Sequence, residues 1–196
     1  VATSKLRKCR KELSINEQYL EIAEKTMKSL ARISEEKLTT SYFDGNDGNY
    51  KLYIIITSDT GLCAGYNNNV VAFLDSLIKD DKDNCKIISV GSKGISYLRR
   101  NGLETIDEYV DIPDIPTIKE VKLVYEKALK LFVSAEVSEV NVVYTEFISP
   151  IKQEVKSEKL LPVERAVGEV GEQIVEPDLK TVLTDSLDIY LKGKLR

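Results

Sequence analysis

The sequence predicts an α/β fold: a mainly parallel, Rossmann-like sheet with a long helix before it and another helix after it. Three observations predict it. Runs rich in Ile, Val and Tyr recur over residues 50–56, 86–90 and 137–147, each reading as a buried strand. Amphipathic helical stretches alternate with them, which calls for right-handed crossovers. Finally, apolar positions in the first 38 residues recur at spacings of four and three. They run from Ala2 through Leu6, Cys9, Leu13, Leu20, Ala23 and Met27 to Leu30, with Asn16 the polar exception, a heptad seam that asks for a partner helix along its length.

Length and composition set the class. The 196 residues suit one domain with a long extension. Apolar residues make up 42%, enough for a core, and charged residues 31%, which suggests long solvated helix faces. A net charge of −4 makes nucleic acid a poor default partner. No apolar run approaches the roughly 20 residues that span a bilayer, and no signal peptide is read. Cys9, Cys63 and Cys85 lack metal-ligand spacing and read as free thiols in a reducing cytoplasm. The chain has no His, which removes the usual base near neutral pH and lowers the prior for an enzyme.

Taken in order, residues 1–38 form a helix on the order of 55 Å long at about 1.5 Å per residue. Ile15, Tyr19 and Ile22 widen its stripe, so it also packs on a globular body. It starts mid-pattern without an N-cap, as if entered partway along. Residues 39–49 are a linker of turn formers; its run from Asp44 to Asn49 looks like a calcium loop but lacks the EF-hand spacing and closing Glu. The strand over 50–56 runs into Ser58-Asp59-Thr60-Gly61 and a helix over about 61–79. Ser58 or Asp59 is its expected cap, and Gly61 and Gly65 let the backbone turn and pack closely. The strand over 86–90 leads through Gly91-Ser92-Lys93-Gly94 into a helix over 95–100 closed by Asn101-Gly102. That Gly-Ser-Lys-Gly turn can be read as a phosphate cradle with a lysine, although the full P-loop and dinucleotide patterns are missing.

A short strand lies within 105–112, and Pro113 and Pro116 make the next stretch a loop. Thr117 caps a third helix, 118–134, with Val121, Val124, Tyr125, Ala128, Leu129 and Phe132 on its apolar face. After the strand over 137–147, Ser149-Pro150 breaks the chain, and 153–162 reads as a last strand, polar on one face and placed at an edge. A linker follows, and Pro177 opens a final helix with an apolar stripe of Leu179, Leu183, Leu187, Tyr190 and Leu191.

Four ordered blocks carry a family resemblance over nearly the whole chain. Ser58-Asp59-Thr60-Gly61-Leu62-Cys63-Ala64-Gly65-Tyr66-Asn67 resembles the Ser-Asp-Arg-Gly-Leu-Cys-Gly-Gly-Leu-Asn signature of the γ subunit of F-type ATP synthases and F-type-like rotary ATPases. Thr60, Ala64 and Tyr66 depart from it. Val1-Ala2-Thr3-Ser4-Lys5-Leu6-Arg7-Lys8 is similar to a stretch some way into that subunit's first helix. Tyr144, Phe147, Gln153, Leu160, Leu161 and Pro162 fall at its Leu-Leu-Pro strand, and Glu176-Pro177-Asp178 at the opening of its last helix. Gly91, Lys93, Gly94, Arg100 and Gly102 match a further Gly-x-Lys-Gly element. On this pattern both terminal helices are cut short.

The resemblance implies an N-terminal coiled-coil helix over 1–40, an α/β globular foot over 50–163, a linker over 164–175 and the start of a C-terminal coiled-coil helix over 176–196. The two helices would wind as an antiparallel coiled coil. It implies a central rotor that couples ATP synthesis or hydrolysis on a hexamer of alpha and beta subunits to rotation of a membrane c-ring or other driven ring, with an epsilon-like subunit at the foot. The chain would be a non-catalytic subunit without a cofactor or metal of its own, ATP or ADP with Mg sitting on partner subunits. It would be cytoplasmic and peripheral at the inner face of the cell membrane, with no direct span. The resemblance sets Lys5, Arg7, Lys8, Arg10 and Lys11 near the acidic lower lobes of the beta subunits. No acidic residue falls among the first eleven positions, which makes that pairing complementary; the plain alternative is a solvated helix face. Glu176 falls near the surface that meets epsilon and the c-ring. A γ-like rotor of a paralogous ATPase serving a motility or other machine stays open. So does a stand-alone nucleotide-binding α/β protein, which needs a phosphate loop and an acid/base pair, and so does a coiled-coil adaptor with an α/β head.

Overall fold

A computed structural model of the chain describes residues 41–163 apart from 62, 114, 115 and 150, together with Ser4, Arg7, Lys8, Lys11, Glu12, Ser14 and Asn16. The expected coiled-coil pairing, most of the helix over 1–40, the linker over 164–175 and the helix over 176–196 lie outside the described residues.

Strands β1 (Tyr50–Ile56), β2 (Cys85–Val90), β3 (Asp107–Tyr109), β4 (Val137–Ser149) and β5 (Lys152–Leu161) form one sheet in the order β3-β2-β1-β4-β5. The pairs β3/β2, β2/β1 and β1/β4 are parallel, and β5 runs antiparallel along β4. The sheet is thus mainly parallel, with the polar strand at one edge, as its alternating charges require. Helix α1 (Tyr66–Leu77) joins β1 to β2, α2 (Ser92–Arg100) joins β2 to β3, and α3 (Ile118–Val133) carries the chain back across to β4.

The period-2 geometry of a strand divides β1 between two cores. Leu52 and Ile54 face α3, packing with Val121, Val124, Tyr125, Ala128, Leu131 and Phe132; Tyr53 and Ile55 face α1 and α2, packing with Val70, Val71, Leu74 and Leu98. Helices on both faces explain why β1 reads as an unbroken apolar run. At roughly 1.5–3 kcal/mol for each fully buried large apolar side chain, these two layers supply most of the folding drive. Thr117 caps α3 as expected: its hydroxyl accepts from the Lys119 amide, and Glu120 reaches back to the Thr117 amide in a capping box.

Burial, with Cys85, Glu139 and Asp81 nearby, pushes the Tyr53 phenol up to about 12. The folded state therefore holds a proton that the unfolded chain releases near pH 10, and stability present below pH 10 is lost as pH rises toward 12. Thermal unfolding followed across that window is expected to fall less steeply for Tyr53→Phe than for the parent.

Three expectations are corrected. The helix expected over 61–79 is Tyr66–Leu77, and its N-cap is Gly65 with no side-chain cap, so neither Ser58 nor Asp59 serves it. The helix expected from Ile95 begins at Ser92. The linker over 39–49 contains the helical turn Ser41–Asp44 and is anchored to the body. Within it the Asn46 side chain donates to the Phe132 carbonyl at 2.9 Å and accepts from the Gly48 amide at 2.8 Å.

Candidate functional site

In an open α/β sheet a ligand sits beyond the carboxyl ends of the strands, where the strand order reverses, with its phosphate on a helix N-terminus. Here the reversal falls between β1 and β4. The groups that would form such a site are Thr57 and the loop after β1, together with the turn Gly91-Ser92-Lys93-Gly94 after β2.

Each amide of that turn is spent inside the chain. Gly91 donates to the Tyr109 carbonyl at 2.8 Å, Lys93 to the Ser58 carbonyl at 3.1 Å, Ser92 to Asp59 Oδ1 at 2.8 Å, and Gly94 to Thr57 Oγ1 at 3.0 Å. The Ser92 hydroxyl returns a bond to the Asp59 carbonyl at 3.0 Å. Asp59 therefore puts a carboxylate where a phosphate would sit, at the positive end of α2. In this arrangement the turn's amides bond to the chain's own groups.

The approach is also too close for any side chain. A Cβ on Gly94 would lie 2.5 Å from Thr57 Oγ1 and 2.8 Å from Ser89 Oγ, and one on Gly91 would lie 2.3 Å from the Thr57 carbonyl oxygen. Thr57 is the hub: its hydroxyl also lies 2.9 Å from the Val90 carbonyl and 3.2 Å from that of Gly91. Ser89 Oγ is fully buried beneath the same turn.

The loop after β1 is held from its other side by Asn67 in the first turn of α1. Asn67 Oδ1 accepts from the Ser58 amide at 2.9 Å, and Asn67 Nδ2 donates to Ser58 Oγ at 2.9 Å. Sequence reasoning missed Thr57, Asp59 and Asn67 as a bonded set. The signal was Asp59 and Asn67 in one motif with Thr57 just before it, but the partners of these residues lie up to 37 residues away. Tyr66 leans on β4 beside Thr145, and burial pushes its phenol up. Cys63 and Cys85 carry no disulfide, and Cys9 lies outside the described residues.

One departure from the family motif now has a physical cost. A turn from Cys63 to Tyr66 is closed by the Tyr66 amide on the Cys63 carbonyl at 3.1 Å, and Ala64 in it has φ +49°. The motif carries Gly there, and an L side chain in that region costs about 1 kcal/mol. Ala64→Gly is expected to raise the urea midpoint by the equivalent of about 0.5–1 kcal/mol.

Of the predicted contact residues, Arg7, Lys8 and Lys11 are helical and exposed. Spacings of three and four put them with Ser4 on one stripe, a basic face aimed at solvent. Lys5, Arg10 and Glu176 lie outside the described residues. Among the described residues no group of three or more Cys, Asp or Glu is placed to hold a metal ion, and no helix is long and apolar enough to cross a membrane.

A family model described as ATP synthase matches residues 1–196. An ATP synthase gamma chain of Clostridium botulinum (strain Eklund 17B) is 56% identical over 196 residues, covering 100% of this chain and 69% of that one. Those of Clostridium beijerinckii and Clostridium acetobutylicum are 51% and 39% identical with the same coverage. Among solved structures, the central stalk and c-ring of Tetrahymena thermophila mitochondrial ATP synthase aligns with a TM-score of 0.62 at 20% identity, over 92% of this chain and 89% of that one. The rotor of the Euglena gracilis enzyme aligns at 0.57 and 16%, over 97% and 79%. At these identities the structures speak for the fold.

Proposed function

This chain belongs to the ATP synthase γ-chain family, and from that premise we propose how its parts serve as the central rotor of an F-type ATP synthase. The observation that carries the geometry is a single junction. The Val163 amide donates to the Tyr42 carbonyl at 2.7 Å, and Phe43 and Val163 are buried in one core with Leu160 and Leu161. The chain thus enters and leaves the body at one point. A helix that leads into this junction and one that follows the linker over 164–175 would run in opposite chain directions, which is what an antiparallel coiled-coil shaft needs. The body is the foot of that shaft.

Catalysis belongs to partner subunits in this reading. The nucleotide-like turn of the foot is filled by Asp59, so ATP or ADP with Mg would be held by alpha and beta subunits around the shaft. The exposed basic stripe of Arg7, Lys8 and Lys11, together with Lys5 and Arg10 from the same stretch of sequence, would meet the acidic lobes of the beta subunits and help set register and encounter. The foot would meet an epsilon-like subunit and the c-ring, with Glu176 near that surface, placing the complex at the inner face of the cell membrane. Identity of 56% to an ATP synthase gamma chain favours a synthase over a motility rotor.

The test is assembly. The full-length parent is produced with its alpha and beta partners, and the mass and ATPase activity of the isolated complex are measured. One copy per hexamer is expected, with activity lost when Lys5, Arg7 and Lys8 are all changed to Glu. A chain that stays alone and binds nucleotide by itself overturns the proposal.

A further inference from the structure

Residues 41–49 are fastened to three separate elements of the body. At the Tyr42 carbonyl the strap meets Val163, just past β5. Phe43 is buried with Phe132 of α3, Val137 of β4 and Leu160 and Leu161 of β5. Asn46 donates to the last turn of α3 at Phe132 and accepts from the Gly48 amide. Gly48 lies flat on the start of β4, where an added Cβ would stand 2.5 Å from the Val137 carbonyl carbon and 2.6 Å from the Ser138 nitrogen. The turn-forming composition that reads as a linker is used here to bring backbone against backbone.

We propose that this strap, residues 42–48 with Val163, is the joint that makes the foot turn rigidly with the shaft, and that Asn46 is the positioning residue that locks it. The inference rests on the rotor reading. A foot joined to its shaft by peptide links alone would twist about soft backbone dihedrals whenever torque is applied. Anchors on α3, β4 and the exit of β5 instead deliver torque to three elements of one packed core, and packed interiors transmit strain rather than absorb it. Asn46 holds both halves of the strap at once, because it takes the Gly48 amide with its oxygen and the α3 carbonyl with its nitrogen.

The experiment uses the assembled complex with its hexamer immobilised and a rotation probe attached to the foot through Lys79→Cys, an exposed position just past α1. With the motor stalled, the angular fluctuation of the probe is recorded and ATPase activity is measured in parallel. Asn46→Ala is expected to widen the fluctuation about 1.5-fold or more, because local opening is freed while the global fold is kept. Asn46→Asp, which keeps the acceptor for Gly48 but loses the donor to Phe132, is expected to widen it too. ATPase activity should stay at the parent's level in both. Leu74→Ala, which cuts the core on the opposite face, should leave the width unchanged. An unaltered width in the Asn46 variants, or an equal widening in Leu74→Ala, overturns the joint. A chain that never enters a complex overturns the rotor reading, and the joint with it.

Discussion

Gly91→Ala is expected to cost about 3–5 kcal/mol, a large part of the roughly 5–15 kcal/mol that holds a domain together. Two terms add. Gly91 has φ +95° and ψ 131°, a conformation that L residues rarely adopt and that carries about 1–3 kcal/mol of strain. Its new Cβ would also stand 2.3 Å from the Thr57 carbonyl oxygen and 2.6 Å from the carbonyl carbon. Both are backbone of the loop after β1, so no flexible side-chain end is available to move aside. Relief requires moving α2 away from the sheet, which breaks the Gly91 bond to Tyr109 and loosens the Ser92 bonds to Asp59. Urea unfolding followed by circular dichroism should show a strongly lowered midpoint, or no folded baseline. Gly102→Ala is the contrast. It too has positive φ, at +68°, but a Cβ there would meet nothing within 4 Å, so it should lose only the strain.

Thr57→Val is expected to cost about 2–3 kcal/mol without changing shape. Valine fills the same space, so no cavity opens, and what is lost is the hydroxyl. The Gly94 amide then has no acceptor in a site where Thr57 is only 8% exposed, and an unsatisfied buried donor carries its full desolvation penalty. Thr57→Ser keeps the hydroxyl and should recover most of the loss. Thermal unfolding of the three proteins side by side measures this. Equal midpoints for Thr57→Val and the parent would show that α2 does not depend on the hub.

These two sites bear on function as well as stability. The same bonds that fasten α2 to the loop after β1 occupy the positions a phosphate would need.

What could be read from the chain, element by element, follows from where the controlling interactions lie. Strands β1, β2 and β4 were legible because each carries a run of Ile or Val that the helices cover. The cap of α3 was legible because Thr117 and Glu120 are three residues apart and bond each other. The start of α1 was not. Ser58 and Asp59 look like caps for the helix that follows them, yet Asp59 bonds Ser92, 33 residues away, and Ser58 is held by Asn67 from inside α1. The strap over 41–49 was read as a linker for the same reason, since Asn46 finds its partner 86 residues later.

The sequence by itself therefore determined the element types, the parallel sheet, the edge position of β5 and, through four ordered motifs, the family. Periodicity, capping and motif spacing are local properties that residues declare in order. Only the tertiary structure decided whether the Gly91–Gly94 amides point to a ligand or into the chain, and whether the stretch before β1 hangs loose or grips the body. Those outcomes depend on hydrogen-bond partners brought together by packing, and the same residue types in the same order are compatible with either.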